Sequence, residues 1–308
     1  MISGFPRTGV VAALTVLVVA GCAAPPSSTT PSTPPASAAS PSASPVVIDV
    51  SAELDALELE YDARVGVSAI DTGSGDSVAF RVDERFGFAS TVKIFVAAEF
   101  LRQVAPADRD VVVTWTRADI DRAGYSPVTT EHLVDGLTLA ELAEAAVRES
   151  DNTATNIIIE HLGGPAALAS GLETLGDQTT AIVDDEPALN EVSPGSADNT
   201  TTPAAFTANL GVLLDGQTLA TDDLATLVDW MSGNATGDNL VRAGAPSGWV
   251  VADKSGGAGG IRNDIAIVTP PGRAPILVSI LTTKTDAAAD YQDELVADVA
   301  AVVLGAFA

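Results

Sequence analysis

Read as a pattern of apolar and polar positions, the chain changes character three times. From Ser51 to Tyr61 the spacing of Leu54, Leu57 and Leu59 predicts a short helix. Arg64 to Ile70 and Ser77 to Val82 then read as two strands of a hairpin around Thr72-Gly73-Ser74-Gly75. The middle of the chain is helical in pattern. Val92 to Val104 is a strongly helical run, and Thr138 with Glu141 three residues later forms a capping box before an Ala/Leu-rich stretch. Gly164-Pro165 opens another helix that Gly176 can end, Thr202-Pro203 opens a third, and Asp222 to Met231 is a further one. In the last quarter Trp249 to Lys254, Ile265 to Thr269 and Ile276 to Leu281 are β-rich, with Pro270-Pro271-Gly272 as a turn. An Ala/Val-rich helix from about Asp286 to Leu304 closes the chain. Strands at both ends with helices between them imply an α/β domain built from both termini (about 46–88 and 236–308), interrupted by an all-helical part (about 89–235). A cleft between two such parts is the default place for a site.

Composition narrows the chemistry. With 46% apolar residues in 308, the chain can bury a sizeable core. Fifteen Lys and Arg against 41 Asp and Glu give a net charge of −26, which repels nucleic acid and anionic lipid headgroups alike. Two histidines (His132, His161) and one cysteine are too few for a three-ligand zinc site without carboxylate help, so metal is not expected, nor any other cofactor. The reactive groups must come from Ser, Lys, Glu and Asn.

The N-terminus reads as a targeting segment. Arg7 precedes an apolar run from Val10 to Ala20 that is too short to span a bilayer, and Val19-Ala20-Gly21-Cys22 resembles a bacterial lipobox. Residues 1–22 are therefore expected to be a lipoprotein signal peptide, with Cys22 lipidated and the domain extracytoplasmic, held to the membrane only by that anchor. Residues 23–45, nearly all Ala, Pro, Ser and Thr, read as a flexible linker, and residues 46–308 as the folded domain. Cys22 is the only cysteine, which excludes an internal disulfide.

Four short motifs carry candidate chemistry. Ser90-Thr91-Val92-Lys93 puts a hydroxyl and an amine three residues apart on one helical face, the arrangement that sets a nucleophile beside a proton acceptor. The apolar flanks Val92, Ile94, Phe95 and Val96 argue that Lys93 is buried for a purpose. Ser150-Asp151-Asn152 lies between two helical runs and alone would read as a cap. Lys254-Ser255-Gly256 ends a predicted strand, and alone would read as strand then turn. Of the three lysines in the chain, two sit inside these motifs. In Glu186-Pro187-Ala188-Leu189-Asn190, a helical turn begun by Pro187 would put Glu186 and Asn190 on one side, able to grip one water.

Taken in order and spacing, these motifs resemble the class A serine β-lactamases, whose set includes S-x-x-K, S-D-N and K-T-G. The similarity covers about residues 46–308 and includes Tyr125-Ser126-Pro127-Val128-Thr129 and Thr200-Thr201-Thr202-Pro203. It implies a serine β-lactamase/penicillin-binding-protein-like fold, an antiparallel sheet flanked by helices with a helical domain inserted, and a β-lactam as small-molecule partner of an expected monomer. By the same resemblance Ser90 attacks the lactam carbonyl, its proton going to Lys93 or through a water to Glu186. The N–H groups of Ser90 and Gly257 form the oxyanion hole. Ser150 passes a proton to the leaving nitrogen, and Glu186 with Asn190 activates the deacylating water. Asn152 and Tyr125 bind the acylamide side chain and wall the cleft, while Lys254, Ser255 and Gly256 meet the substrate carboxylate.

An arginine is expected beside that carboxylate. Arg242 and Arg262 each resemble the position used in one branch of the family, and Arg242 is preferred because the Gly256–Gly260 turn reads as a residue shorter than the family's. Two positions depart from the family pattern. Where members commonly brace the loop of the general base with an Arg–Asp ion pair, this chain has Asp184 and Asn199, leaving a hydrogen bond as the only replacement. Where carbapenem-hydrolysing members carry a disulfide, it has Ala89 and Ala258. The competing expectations are a penicillin-binding D-Ala carboxypeptidase or transpeptidase, which lacks a group such as Glu186 to deliver water, and a non-catalytic surface-binding lipoprotein, which would have lost Ser90, Lys93 or Glu186.

Overall fold

A computed structural model describes Gly21, residues 44–286 and residues 288–308. Cys22, the linker up to residue 43 and the rest of the signal segment lie outside the described residues. The elements run α1 (Ser51–Tyr61), β1 (Ala63–Asp71), β2 (Ser77–Phe80), β3 (Phe86–Gly87), α2 (Lys93–Gln103), β4 (Val112–Val113), α3 (Arg117–Ala123), α4 (Pro127–Glu131), β5 (Leu137–Thr138), α5 (Leu139–Arg148) and α6 (Asn152–His161). They continue with α7 (Pro165–Thr174), β6 (Thr200–Thr201), α8 (Pro203–Leu214), α9 (Thr221–Ser232), α10 (Val241–Gly244), β7 (Val250–Ala258), β8 (Ile261–Thr269), β9 (Ile276–Lys284) and α11 (Asp293–Gly305).

The main sheet has the order β2-β1-β9-β8-β7, so β9 from the C-terminal quarter pairs along the whole of β1. Alternation along β1 shows how the sheet is sandwiched. Val65, Val67 and Ala69 point to a core shared with Leu54 of α1 and with Leu295, Val299 and Val303 of α11. On the opposite face Gly66 lies so close to Phe86 that an added Cβ would come within 2.4 Å of its ring, and Thr207 of α8 hydrogen-bonds the Ser68 carbonyl at 3.1 Å. That second face packs on the helical part, where α2 runs through the centre with every residue from Lys93 to Leu101 buried. A helix covered on all sides needs no polar face, which is why its sequence reads as nearly continuous apolar. The capping box expected at Thr138 and Glu141 is present, and Gly176 sits beyond α7 at φ +100°. Ahead of α1, Val46 to Ile48 lies along the free edge of β2, with Ile48 N–H donating to Ser77 O at 2.7 Å and Ser77 N–H to Val46 O at 2.9 Å.

Two expectations need correction. Gly256 to Gly260 is not a turn: β7 continues through Gly256, Gly257 and Ala258, each paired with β8, and only Gly259 and Gly260 turn. The cross-strand partners Ile261 to Asn263 keep this glycine-rich end in the sheet, so Lys254-Ser255-Gly256 lies inside a strand rather than at its end. The closing helix starts at Asp293, not near Asp286, because Tyr291 N–H is held by Gly259 O at 3.1 Å and Gln292 is still extended.

Candidate active site

The nucleophile candidate sits on a turn with an unusual approach. A 3₁₀ turn from Ala89 to Val92 leads into α2, and Ala89 has φ +46°, a left-handed conformation that costs a residue with a Cβ energy. Asn263 on β8 holds this approach, its Nδ2 donating to Gly87 O at 2.8 Å and Phe88 O at 3.2 Å. β7 closes over the same turn. A Cβ on Gly256 would lie 3.0 Å from Phe88 O and 3.1 Å from Ser90 N, so the close packing of strand on turn favours glycine there.

Lys93 is wholly buried beneath Ser90. Its Nζ lies 2.8 Å from Ser150 O, 2.6 Å from Asn152 Oδ1 and 3.0 Å from Glu186 Oε1. Burial pushes its pKa down, while Glu186 and then Asp151 oppose that by favouring the charged form. Ser150 has φ +56°, and Asp151 caps α6 through Ala154 N–H while also accepting from Val128 and Thr129 N–H at 2.9 Å. The cap reading of this motif therefore holds together with its placement at the cleft: Asp151 fastens α4 to α6 so that Ser150 and Asn152 face Lys93.

Glu186 arrives on the loop before α8, with Ala188–Asn190 as a 3₁₀ turn. Its carboxylate is buried, 3.3 Å from Ser90 Oγ, and accepts from Asn190 Nδ2 at 2.6 Å. Asn156, which the sequence reading missed, fixes its backbone from both sides: Asn156 Oδ1 accepts Glu186 N–H and Asn156 Nδ2 donates to Glu186 O, each at 2.8 Å. Its only signal is a polar residue one helical turn beyond Asn152, next to the Ile157-Ile158-Ile159 run. The outer end of the loop is tied by Asn199, whose Nδ2 donates to Asp184 Oδ2 at 2.8 Å while its Oδ1 accepts Val183 N–H and Asp184 N–H.

These groups meet in a cleft of about 520 Å³ lined by Ser90, Tyr125, Ser150, Asn152, Glu186, Asn190, Thr236, Ser255, Gly256, Gly257, Arg262 and Tyr291 among others. Lys254 is buried behind it, its pKa driven down to about 7 first by burial and then by the charge of Lys93. The preference for Arg242 is corrected by placement. Arg242 is outside the lining and is consumed by Asp238 at 2.7 Å, by Asp253 and by Asn234 O. Arg262, next to Gly257 across the strands, does line the cleft; Asp293 Oδ1 accepts from its Nε at 2.7 Å and its guanidinium lies over Tyr291.

A serine on a strained turn, a buried lysine and a buried carboxylate under one cleft are the set of groups that suits an enzyme of the serine hydrolase class. The profile of the β-lactamase enzyme family matches residues 49–307. A β-lactamase of Amycolatopsis lactamdurans is 45% identical over 86% of this chain and 88% of its own length, and one of Bacillus amyloliquefaciens is 48% identical over 80% and 81%. The crystal structure of a class A β-lactamase from Clostridium kluyveri superposes with a TM-score of 0.81 at 40% identity, covering 84% of this chain and 99% of that one. The chain belongs to the class A serine β-lactamase family.

Proposed function

We propose that this protein opens the β-lactam ring with Ser90 and frees itself with water activated by Glu186. As a family member it is a serine β-lactamase, hydrolysing β-lactam amides and so conferring resistance to them. The observation that carries the mechanism is the buried carboxylate of Glu186, within 3.3 Å of Ser90 Oγ, 3.0 Å of Lys93 and 2.6 Å of Asn190. An ammonium at Lys93 has its three protons directed to Ser150 O, Asn152 Oδ1 and Glu186, which leaves no lone pair to take a proton from Ser90. That favours Glu186 as the acceptor during acylation. Ser90 Oγ bonds the carbonyl carbon with the N–H groups of Ser90 and Gly257 facing the oxyanion. The carbon–nitrogen bond breaks as Ser150 delivers its proton to nitrogen, and Ser150 regains one from Glu186 through Lys93, whose Nζ lies 3.4 Å from Ser150 Oγ and 3.0 Å from Glu186 Oε1, so Glu186 is a carboxylate again. Water then attacks the ester, giving its proton to Glu186, and Ser90 leaves with the proton restored. Asn190 Oδ1, which has no hydrogen-bond partner among the described residues, is the second acceptor for that water.

Asn152 and Tyr125 receive the acylamide side, and Lys254, Ser255 and Arg262 the substrate carboxylate. The enzyme acts outside the cytoplasm as a monomer, with Cys22 as lipid anchor. The rival reading, a penicillin-binding enzyme that stays acylated, is disfavoured because Glu186 and Asn190 are in place to deliver water. The test is intact mass and lactam absorbance of the purified protein with excess benzylpenicillin. Wild type should turn over many equivalents, Ser90→Ala none, and Glu186→Ala should accumulate an adduct of one penicillin; a wild type that stops after one equivalent is a penicillin-binding enzyme.

A further inference from the structure

Behind the carboxylate end of the cleft runs a chain of hydrogen bonds that the mechanism above does not use. Asp253 is fully buried and paired with Arg242, and its Oδ2 accepts from Asn234 Nδ2 at 2.5 Å. That bond fixes which way the Asn234 amide faces, so Asn234 Oδ1 is turned to Thr236, where it accepts the backbone N–H at 3.1 Å and the hydroxyl at 2.8 Å. Thr236 Oγ1 in turn lies 2.6 Å from Ser255 Oγ. No side chain can intrude, since a Cβ on Gly237 would sit 1.8 Å from Asp253 Oδ2.

Proton bookkeeping restricts this pair of hydroxyls to two arrangements. Each hydroxyl has one proton, and Asn234 Oδ1 can only accept. If Thr236 donates to Asn234, Ser255 must donate to Thr236 and shows the cleft only lone pairs, which repel a carboxylate. If Thr236 donates to Ser255, the Ser255 proton is free for the cleft, and Asn234 Oδ1 keeps the Thr236 N–H. In both arrangements the 2.6 Å bond holds the Ser255 rotamer, so only protons move.

We infer that Thr236 is a positioning residue for substrate recognition: by giving its proton to Ser255 it turns the Ser255 hydroxyl into a donor to the carboxylate of the β-lactam. This rests on the assignment of Ser255 to that carboxylate. An anion selects the second arrangement because a hydrogen bond to a charged oxygen is the stronger one, and the donation from Thr236 polarises Ser255 further.

The test compares Thr236→Val, Thr236→Ala and Thr236→Ser with wild type on benzylpenicillin and on its methyl ester, which lacks the carboxylate charge. Losing the hydroxyl should lower kcat/KM for benzylpenicillin about five- to tenfold through KM, with kcat kept, since one net hydrogen bond is lost from binding alone. Thr236→Ser should stay within about twofold of wild type, and turnover of the ester should be insensitive to all three changes. An unchanged or lowered KM in both Val and Ala variants, or an equal loss on the ester, overturns the inference while leaving Ser90 and Glu186 chemistry untouched. Failure of wild type to turn over benzylpenicillin would instead remove the assignment beneath it.

Discussion

Asn199→Asp tests whether the loop carrying Glu186 is braced by the Asp184–Asn199 hydrogen bond. The change keeps nearly the same shape, and at φ +55° Asp is tolerated about as well as Asn, so the backbone is not the variable. What changes is the sign of one group. The Nδ2 donor at 2.8 Å from Asp184 Oδ2 becomes a second carboxylate oxygen, while the two backbone N–H bonds to Oδ1 can persist. Losing a hydrogen bond to a charged group costs about 1.5–3 kcal/mol. Repulsion at that distance, at an effective dielectric near 20, adds roughly 6 kcal/mol before screening. Proton uptake sets the ceiling: neutralising one carboxylate costs about 1.4 kcal/mol per pH unit above its ordinary value near 3.9, so about 4 kcal/mol at pH 7 and about 1.5 at pH 5. The sign follows from linkage. The shared proton is held more tightly in the folded variant than unfolded, so stability is intact at low pH and lost as pH rises. With about 1.4–2.8 kcal/mol of this falling on the loop, hydrolysis of the acyl-enzyme should slow roughly 10- to 100-fold at pH 7.5 and recover much of the way at pH 5. The reciprocal pair Asp184→Asn with Asn199→Asp restores one donor facing one acceptor and should bring deacylation back. Stopped-flow deacylation and intact mass read both. A single variant within twofold of wild type at pH 7.5, or a pair that fails to recover, refutes the brace.

Arg262→Gln should raise KM for penicillins by about tenfold with the melting temperature little changed, whereas Arg242→Gln should mainly lower the melting temperature, because it strips a buried Asp253 of its cation; steady-state kinetics and thermal melts separate them, and the reverse pattern would restore Arg242 to the carboxylate. Because the free-enzyme pKa of Lys254 is lowered to about 7, kcat/KM should fall as pH rises through that value, and Lys254→Arg should move this basic limb upward by at least two units. For stability the unfolded lysine keeps its proton up to about 10.5 and the folded one only up to about 7, so stability rises with pH between those values and is lost as pH falls back to about 7, visible in melts from pH 7 to 10. Gly237→Ala should destabilise by about 1–3 kcal/mol and weaken carboxylate recognition together, measured by chemical denaturation and KM, since the new methyl must displace Asp253 or Asn234.

Much of this site could be read from the chain because the chemistry is local in sequence. Ser90 and Lys93 share one turn, Asp151 lies between Ser150 and Asn152, and Glu186 and Asn190 share a loop; the rare lysines Lys93 and Lys254 gave weight to the two motifs that hold them. What escaped depends on meetings across the fold. Asn156 looked like one more residue of an isoleucine-rich helix until the loop of Glu186 was laid against it. Arg242 and Arg262 are both candidates as sequence, with Arg242 preferred; only the register of β7 against β8 sets Arg262 opposite Gly257 and leaves Arg242 with Asp253. The Gly256–Gly260 run read as a turn because glycine propensity was weighed without the partner strand that holds it extended.

The pairing of Val46 to Ile48 with β2 bears on how the enzyme can be mounted. β2 and β7 are the two outer strands of the sheet, four interstrand steps apart, or roughly 19 Å at ordinary strand spacing. Chain entering at residue 44 therefore joins the margin remote from Ser255, and the stretch it lays down also shields a β2 edge that would otherwise recruit foreign strands. A bead, a fused domain or a surface attached at that end should leave antibiotic capture unhindered, whereas the same cargo grafted into the Gly259-Gly260 turn would stand beside the cleft mouth.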